Sequence, residues 1–164
     1  MRSLQSDLHR NAPVHSPAIS EPPSPARILG PTRTLLVVDD NAMLRDVETQ
    51  ILRLHGYTVL EAESAAEALR VAASTAAIHL LLTDFSMPEV NGLELTRRFR
   101  AVYPKTPVLM VSGSLPLIRH KADDLDRFEV LEKPFEFKEL LHKVRTLLDA
   151  TAPLPIRKPC CADY

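Results

Sequence analysis

Short apolar runs alternate along this chain with longer stretches whose apolar residues recur every three or four positions. The short runs predict buried strands, and the longer spacing predicts helices that turn one face to a core. Because the runs show no regular polar alternation, we expect helices on both faces of a parallel sheet, not a sandwich. The five predicted strands are Thr34–Val38, Tyr57–Leu60, His79–Thr83, Val108–Val111 and Val130–Glu132.

The helices between these strands are recognised by their apolar faces and by their end signals. Ser64 and Glu67 form a capping-box pattern that predicts the start of the second helix. Gly56 is expected to end the first helix, and a weaker candidate for a fourth spans 115–122. The residues expected to face the core are Leu44, Val47, Ile51 and Leu54 in the first helix, Ala65, Ala68, Leu69 and Ala72 in the second, Leu95, Phe99 and Val102 in the third, and Phe137, Leu140, Leu141, Val144, Leu147 and Leu148 in the last.

Composition divides the 164 residues into one predicted domain and two tails. Residues 1–32 hold six prolines with little periodic apolarity, so we expect a disordered tail there. Residues 33–150 form the predicted domain, and the proline-containing residues 151–164 form a flexible C-terminal tail. That short tail offers no room for an output domain, so a stand-alone domain is expected.

Charge and cysteine usage narrow the classes of partner. Residues 33–150 hold 15 basic and 18 acidic side chains, a net charge of −3, which argues against a nucleic-acid partner. No apolar run approaches the roughly 18 residues of a membrane span, so no membrane partner is expected. The two cysteines, Cys160 and Cys161, are adjacent near the C-terminus and cannot link the core, which favours a reducing cytoplasm.

Polar side chains follow four of the predicted strands at the point where each strand ends. Asp39 and Asp40 come after the first strand, Asp84 after the third, Ser112 after the fourth and Lys133 after the fifth. The carboxyl ends of parallel strands share one edge of the sheet, and ligands of open α/β folds bind outside that edge. Three carboxylates, a hydroxyl and an ammonium there predict a site for a divalent cation and a phosphoryl group.

The residue types suggest separate roles within this site. Asp84 is expected to be the nucleophile, because it ends the central strand in its most exposed turn, and carboxylate attack on phosphorus gives an acyl phosphate. Asp39 and Asp40 are placed to hold Mg²⁺, which prefers carboxylate oxygens. Lys133 and Ser112 are expected to contact phosphoryl oxygens.

Each of these residues also has an ordinary interpretation. Asp39 or Asp40 could cap the following helix, and for a single aspartate we favour that interpretation. Asp84 and Ser112 could be turn residues, and Lys133 a solvated loop lysine. The coincidence of all five at matching strand ends favours the site.

The segments that carry these residues resemble the receiver domain of two-component response regulators. The matching segments are Leu35–Asp40, Asp84–Pro88 with Gly92, Val108–Ser112 and Glu132–Phe135. The resemblance covers about residues 33–150. It implies a flavodoxin-like (βα)5 fold, a doubly wound parallel sheet with strand order 2-1-3-4-5.

The resemblance also implies how the metal is held and how the signal leaves the domain. It makes Asp40, Asp84 and the backbone carbonyl of Ser86 direct Mg²⁺ ligands, with Asp39 acting mainly through water. Members of the family commonly carry a switching aromatic residue three positions before the lysine, where this chain has Val130. Phe128 is close by, but we place it in a different phase of the strand.

We therefore expect a phosphoacceptor of a two-component phosphorelay, which is a signalling domain and not an enzyme. It takes a phosphoryl group from a sensor histidine kinase or a histidine phosphotransfer protein onto Asp84 and acts on a downstream protein by contact. The alternatives are a phosphate sink in the relay and a binding module of the same fold that works without phosphorylation. A phosphohydrolase would need a general acid two residues after Asp84, where Ser86 stands.

Overall fold

The computed structural model describes residues 33–114 and 128–151. The tails and the helix predicted over 115–122 lie outside these residues. Strands and helices alternate along most of the described chain, and the predicted strand positions agree to within a few residues. The elements are β1 (Thr34–Val38), α1 (Ala42–Leu54), β2 (Thr58–Ala62), α2 (Ala65–Ser74), β3 (Leu80–Asp84), α3 (Gly92–Val102), β4 (Val108–Ser112), β5 (Glu129–Glu132) and α4 (Phe137–Thr151).

The five strands form one parallel sheet with the order β2-β1-β3-β4-β5, which confirms the predicted fold class. Strand β1 pairs with β2 on one side and with the central strand β3 on the other, so that Leu35 lies opposite both Val59 and Leu80. Asp84 lies opposite Val111 on β4, and Ser112 lies opposite Glu132 on β5. This register brings the ends of β1, β3, β4 and β5 to one edge of the sheet.

Each face of the sheet has its own apolar core. Alternate residues of β1 point to opposite faces, with Leu35 and Val37 in one core and Leu36 and Val38 in the other. The first core is closed by residues of α1 and α4, and the second by residues of α2 and α3. The buried helix residues are Leu52, Leu140, Val144 and Leu148 in the first core and Ala65, Ala68, Ala72, Leu95 and Phe99 in the second.

The predicted core face of α1 is wrong. Leu44, Val47 and Leu54 are exposed, and the side chains turned inward are Glu48, Thr49 and Leu52. The rotation of the helix is set by polar contacts at its start, which the apolar spacing does not report. Val102 and Phe137, at the ends of α3 and α4, are also exposed, whereas the remaining predicted core positions of α2, α3 and α4 are buried or half-buried.

Phe128 does not lie in a different phase from Val130. Both side chains pack against the same small cluster, which is formed by Phe85, Leu93 and Met110. Positions two residues apart in extended chain point to the same face, which is the physical reason for the correction. An aromatic ring therefore packs in this cluster, although it comes from Phe128.

None of the helices in residues 33–114 and 128–151 combines the length and the apolarity that crossing a membrane would require.

Candidate functional site

The sheet edge brings three of the predicted site residues into direct contact. The Lys133 ammonium lies 2.6 Å from Oδ1 of Asp84 and 3.4 Å from Oδ2 of Asp39. The two carboxylates are buried, and the lysine side chain is 26% exposed. Lys133 follows β5 directly, and its amide donates to the carbonyl of Ser112, which fixes the start of the loop. Lys133 is therefore not a solvated loop lysine but a cation shared by two buried acids.

Asp84 is more enclosed than the sequence suggested. Its residue surface is 7% exposed, so the prediction of an exposed turn is wrong. Its Oδ2 accepts a 2.6 Å hydrogen bond from the amide of Ser86, while Oδ1 faces Lys133. Burial is tolerated because each carboxylate oxygen has a donor. Because the Ser86 amide donates to Oδ2, the main chain of Ser86 lies next to the Asp84 carboxylate.

The acidic turn after β1 does not cap the helix that follows it. Asn41 is the N-cap of α1, and its side chain accepts from the amides of Met43 and Leu44. Oδ1 of Asp39 accepts a 2.7 Å bond from the amide of Asn41, and Asp40, directly after β1, is exposed. The capping interpretation of Asp39 and Asp40 is thus contradicted, and both carboxylates remain at the sheet edge.

Ser112 lies at this edge, but the hydrogen bonds of its side chain are made with Ser114 and not with Asp84. Its buried hydroxyl hydrogen-bonds with the amide of Ser114 at 3.1 Å and with the carbonyl of Ser114 at 3.3 Å. The turn interpretation of Ser112 therefore describes its contacts in this structure. To donate to a phosphoryl oxygen, the hydroxyl would have to give up the bond that it donates to the Ser114 carbonyl, while it could still accept from the Ser114 amide.

Gly92 packs the start of α3 against the main chain of Asp84. A Cβ atom at this position would collide with the Asp84 carbonyl, and the Gly92 amide donates to the Phe85 carbonyl at 3.0 Å. The sequence predicted that Gly92 allows the chain to turn, but the stronger requirement is this close approach.

Electrostatics in the site is dominated by an excess of buried negative charge. Burial raises the pKa of the Asp39 carboxyl above its usual value, an effect that the amide of Asn41 and the charge of Lys133 only partly oppose. Burial alone would lower the pKa of Lys133, but the hydrogen bond and charge of Asp84, together with Asp39, raise it above the usual value. The ammonium is thus held firmly in its charged form.

One acidic residue beneath the site was missed by sequence reasoning. Glu48 of α1 is only 4% exposed and forms no hydrogen bond or ion pair with another described residue. Burial, and then the charges of Asp39 and Asp84 against that of Lys133, raises its pKa to about 7. A signal was present, because Arg45, Glu48 and Leu52 follow helical spacing, but only the apolar face of α1 was predicted as the core face.

The donor set suits a hard divalent cation by charge and ligand type. Asp39 and Asp84 already share one positive charge, and the next residue in the chain, Asp40, is an exposed third carboxylate. Within the described residues, however, no three His, Cys, Asp or Glu side chains are close enough together to form a closed metal centre. Mg²⁺ bound here would be held by the carboxylates, with main-chain oxygen and water completing its shell, as is common for Mg²⁺.

Two regulatory proteins are similar in sequence to about three quarters of this chain. The chain is 36% identical over 121 residues to the DNA-binding transcriptional regulator NtrC of Azospirillum brasilense, covering 73% of this chain and 25% of NtrC. It is 35% identical to the response regulator MprA of Mycobacterium avium, covering 73% of this chain and 52% of MprA. The chain thus spans a quarter to about half of the length of these relatives.

Solved structures of two related proteins are also similar to this chain. A response regulator receiver protein from Sinorhizobium medicae superposes with a TM-score of 0.67 at 30% identity, covering 74% of this chain and 98% of that one. The Vibrio cholerae chemotaxis protein CheY4 superposes with a TM-score of 0.66 at 27% identity, covering 71% and 99%. The sequence model of the response regulator receiver domain matches residues 35–145. The chain therefore belongs to the response regulator receiver domain family, whose members are signalling domains of two-component systems.

Proposed function

We propose that this protein is the phosphoacceptor of a phosphorelay and that Asp84 receives the phosphoryl group. The observation that carries the proposal is the environment of the Asp84 carboxylate at the sheet edge. It is held by one ammonium and one amide, and it lies across Lys133 from a second buried acid, Asp39. Its oxygens are thus fixed in place, which favours a transfer that depends mainly on positioning and charge.

The transfer is a substitution at phosphorus. One oxygen of Asp84 forms a bond to the phosphorus of a phosphohistidine, and the P–N bond breaks with its electron pair left on the imidazole, which then takes a proton. The product is an acyl phosphate on Asp84. Lys133 can exchange its hydrogen bond to Asp84 for one to a phosphoryl oxygen. The Ser112 hydroxyl can donate to a second phosphoryl oxygen once its bond to the Ser114 carbonyl has broken.

Asp39, Asp40, Asp84 and the backbone carbonyl of Ser86 are the groups that would hold Mg²⁺ in this site. When bound, the cation supplies positive charge that offsets repulsion between the carboxylates and the incoming phosphoryl group. We place this activity in the cytoplasm, where phosphohistidine donors act and where adjacent cysteines stay reduced.

A small phosphodonor tests the proposal without knowledge of the partner. Incubation with acetyl phosphate and Mg²⁺ should add one phosphoryl group per chain, measured by intact-protein mass spectrometry. EDTA should abolish the labelling because the carboxylates then repel the donor, and an excess of Mg²⁺ should restore it. Labelling that proceeds equally well in EDTA would contradict the proposed site.

The exposed face of α1 supports a partner that docks beside Asp84. Met43, Leu44, Val47 and Leu54, which we call the exposed α1 stripe, show solvent-exposed fractions of 76%, 41%, 38% and 75%. The stripe begins within one helical turn of Asp40. A partner that carries its phosphohistidine to Asp84 must cover this edge and the adjacent start of α1, and apolar side chains there would be buried by it. We propose a histidine kinase or histidine phosphotransfer protein as this partner and a downstream protein as the target of the phosphorylated form.

Substitution in the exposed α1 stripe should separate docking from chemistry. Leu44→Glu should slow phosphotransfer at least about tenfold from whichever kinase in a purified panel labels the wild type fastest, because a charge replaces buried apolar contact. Labelling by acetyl phosphate should stay within about twofold of wild type. Val102→Glu is the matched control, since Val102 is 64% exposed on the opposite face of the sheet. An equal loss in both variants, or none in Leu44→Glu, would contradict the docking assignment.

Lys133→Ala should destabilise the metal-free protein and slow its labelling. The substitution leaves two buried carboxylates without their shared cation, a loss that costs about 3–5 kcal/mol for fully buried pairs. We expect about 1–2 kcal/mol, because Lys133 is partly exposed and one acid can take up a proton. Mg²⁺ should stabilise this variant more than the wild type.

The control for Lys133 is Lys143→Ala. Lys143 is also 26% exposed, but it pairs at 3.2 Å with Glu129, which is exposed. Urea unfolding in EDTA should show a clear loss for Lys133→Ala and almost none for Lys143→Ala. Equal stabilities of the two variants would mean that Lys133 does not support the buried acids.

A further inference from the structure

Arg45 is an enclosed cation on α1 that reaches back to the main chain of the site. Its Nη1 donates a 2.6 Å hydrogen bond to the backbone carbonyl of Asp39. Its Nε lies 3.8 Å from Oε2 of Glu61, and its side chain is 15% exposed. The transfer described above makes no use of this residue.

The carbonyl that Arg45 holds belongs to the peptide that joins Asp39 to Asp40. The other groups of this turn are already fixed: the Asp39 amide donates to the Ala62 carbonyl at 3.3 Å, and the Asp39 side chain accepts from Asn41. The bond from Arg45 is short and charge-assisted, which makes it stronger than a neutral hydrogen bond. It therefore holds the plane of the peptide that leads into Asp40, and with it the direction in which the chain presents Asp40.

The charge of Arg45 is not free to neutralise the acidic site. Glu61 at the end of β2 lies against it and also accepts a 2.9 Å bond from Arg53. Arg53 stands on the same helix and also donates to a backbone carbonyl, that of Val59 at 2.9 Å, although its side chain is more exposed. It makes no contact with the acidic turn in the described structure, so Arg53 separates the effect of the Glu61 network from the effect of the Asp39 carbonyl.

We propose that Arg45 is a positioning residue that holds the Asp39–Asp40 peptide in the orientation in which both carboxylates face a divalent cation. The inference rests on the proposed function, in which that cation assists phosphoryl transfer to Asp84. A purely structural role of Arg45 predicts a different result. If Arg45 only ties α1 to the sheet, its loss lowers stability and leaves the affinity for Mg²⁺ unchanged.

The affinity for Mg²⁺ can be measured without any phosphodonor, from the rise of the melting temperature with Mg²⁺ concentration. Arg45→Met keeps the length of the side chain and removes its donors, and Arg53→Met is the matched control. We expect Mg²⁺ affinity to fall about tenfold in Arg45→Met, equivalent to the loss of roughly one charge-assisted hydrogen bond. It should stay within about twofold in Arg53→Met. Labelling of Arg45→Met by acetyl phosphate should approach the wild-type rate at saturating Mg²⁺.

Unchanged affinity in Arg45→Met, or an equal fall in Arg53→Met, would overturn the inference. If Arg45→Met does not fold, Arg45→Lys decides, because it keeps a charge but not the planar guanidinium that reaches Asp39 and Glu61 together. A weakened affinity in that variant supports the positioning role, and wild-type affinity overturns it. A wild-type protein that Mg²⁺ does not stabilise would overturn the proposed metal site as well, whereas normal Mg²⁺ binding in every variant overturns this inference alone.

Discussion

Asp84→Asn should remove all phosphoryl labelling of this protein, both from acetyl phosphate and from a histidine kinase. An amide oxygen is a far weaker nucleophile than a carboxylate, and it forms no stable phosphoryl adduct. The fold should persist, because an amide oxygen can still accept from the Ser86 amide that now bonds Oδ2. Intact-mass measurement after incubation with Mg²⁺ and the donor gives the result directly.

Asp46→Asn is the matched control for this experiment. Asp46 is an exposed aspartate on α1 and makes no hydrogen bond or ion pair with another described residue, so its labelling should equal that of the wild type. Full labelling of Asp84→Asn would place the acyl phosphate on another residue. In that case, Lys133 would bridge Asp39 and Asp84 for structural reasons only.

Glu48→Gln should stabilise the metal-free protein at pH 8.5 and change its stability little at pH 5. The pKa of Glu48 is raised from 4.5 to about 7, so the folded state disfavours the charged form. Below pH 4.5 the group is protonated in both states and costs nothing. Between 4.5 and 7 the unfolded chain loses the proton while the folded chain keeps it, and wild-type stability falls as pH rises. Above 7 the folded protein carries the full penalty, about 3 kcal/mol at most for this shift.

Urea unfolding in EDTA at several pH values measures this difference. Glutamine has nearly the same shape as glutamate but no charge, so the gain in free energy of unfolding should grow from pH 5 to pH 8.5. Glu139→Gln on the exposed first turn of α4 should show no such growth. A constant difference across the pH range would mean that Glu48 is not a buried acid of the expected kind.

The sheet and the positions at its edge could be predicted because they depend on short-range patterns. Uninterrupted apolar runs identify parallel strands, and the polar residue that ends each run must lie at the shared edge. Contacts between Lys133, Asp39 and Asp84 follow from that topology, although their sequence separations are 94 and 49 residues. What topology does not determine is the depth of a side chain, and Asp84 was accordingly placed too close to solvent.

The rotation of α1 could not be predicted, because hydrophobic spacing shows which face is apolar but not which face points inward. The inward face is set by Asn41, which caps the helix, and by Arg45, which bonds the Asp39 carbonyl. Both contacts depend on the path of the chain as it leaves β1. The helix consequently buries Glu48 and leaves apolar side chains exposed. This arrangement lowers the stability of the free protein, and a partner that covers the apolar side chains would offset the loss.

The ion pairs of Lys133 with Asp39 and Asp84 also affect whether the protein needs a metal ion in order to fold. Because the chain carries its own cation for Asp39 and Asp84, newly made protein can close this edge of the sheet before it meets any metal. At the metal site that we propose, Mg²⁺ would meet carboxylates that a tethered ammonium already partly neutralises. Occupancy of that site would then depend on the supply of Mg²⁺ in the surroundings, whereas the ion pairs that hold this edge of the sheet together would not.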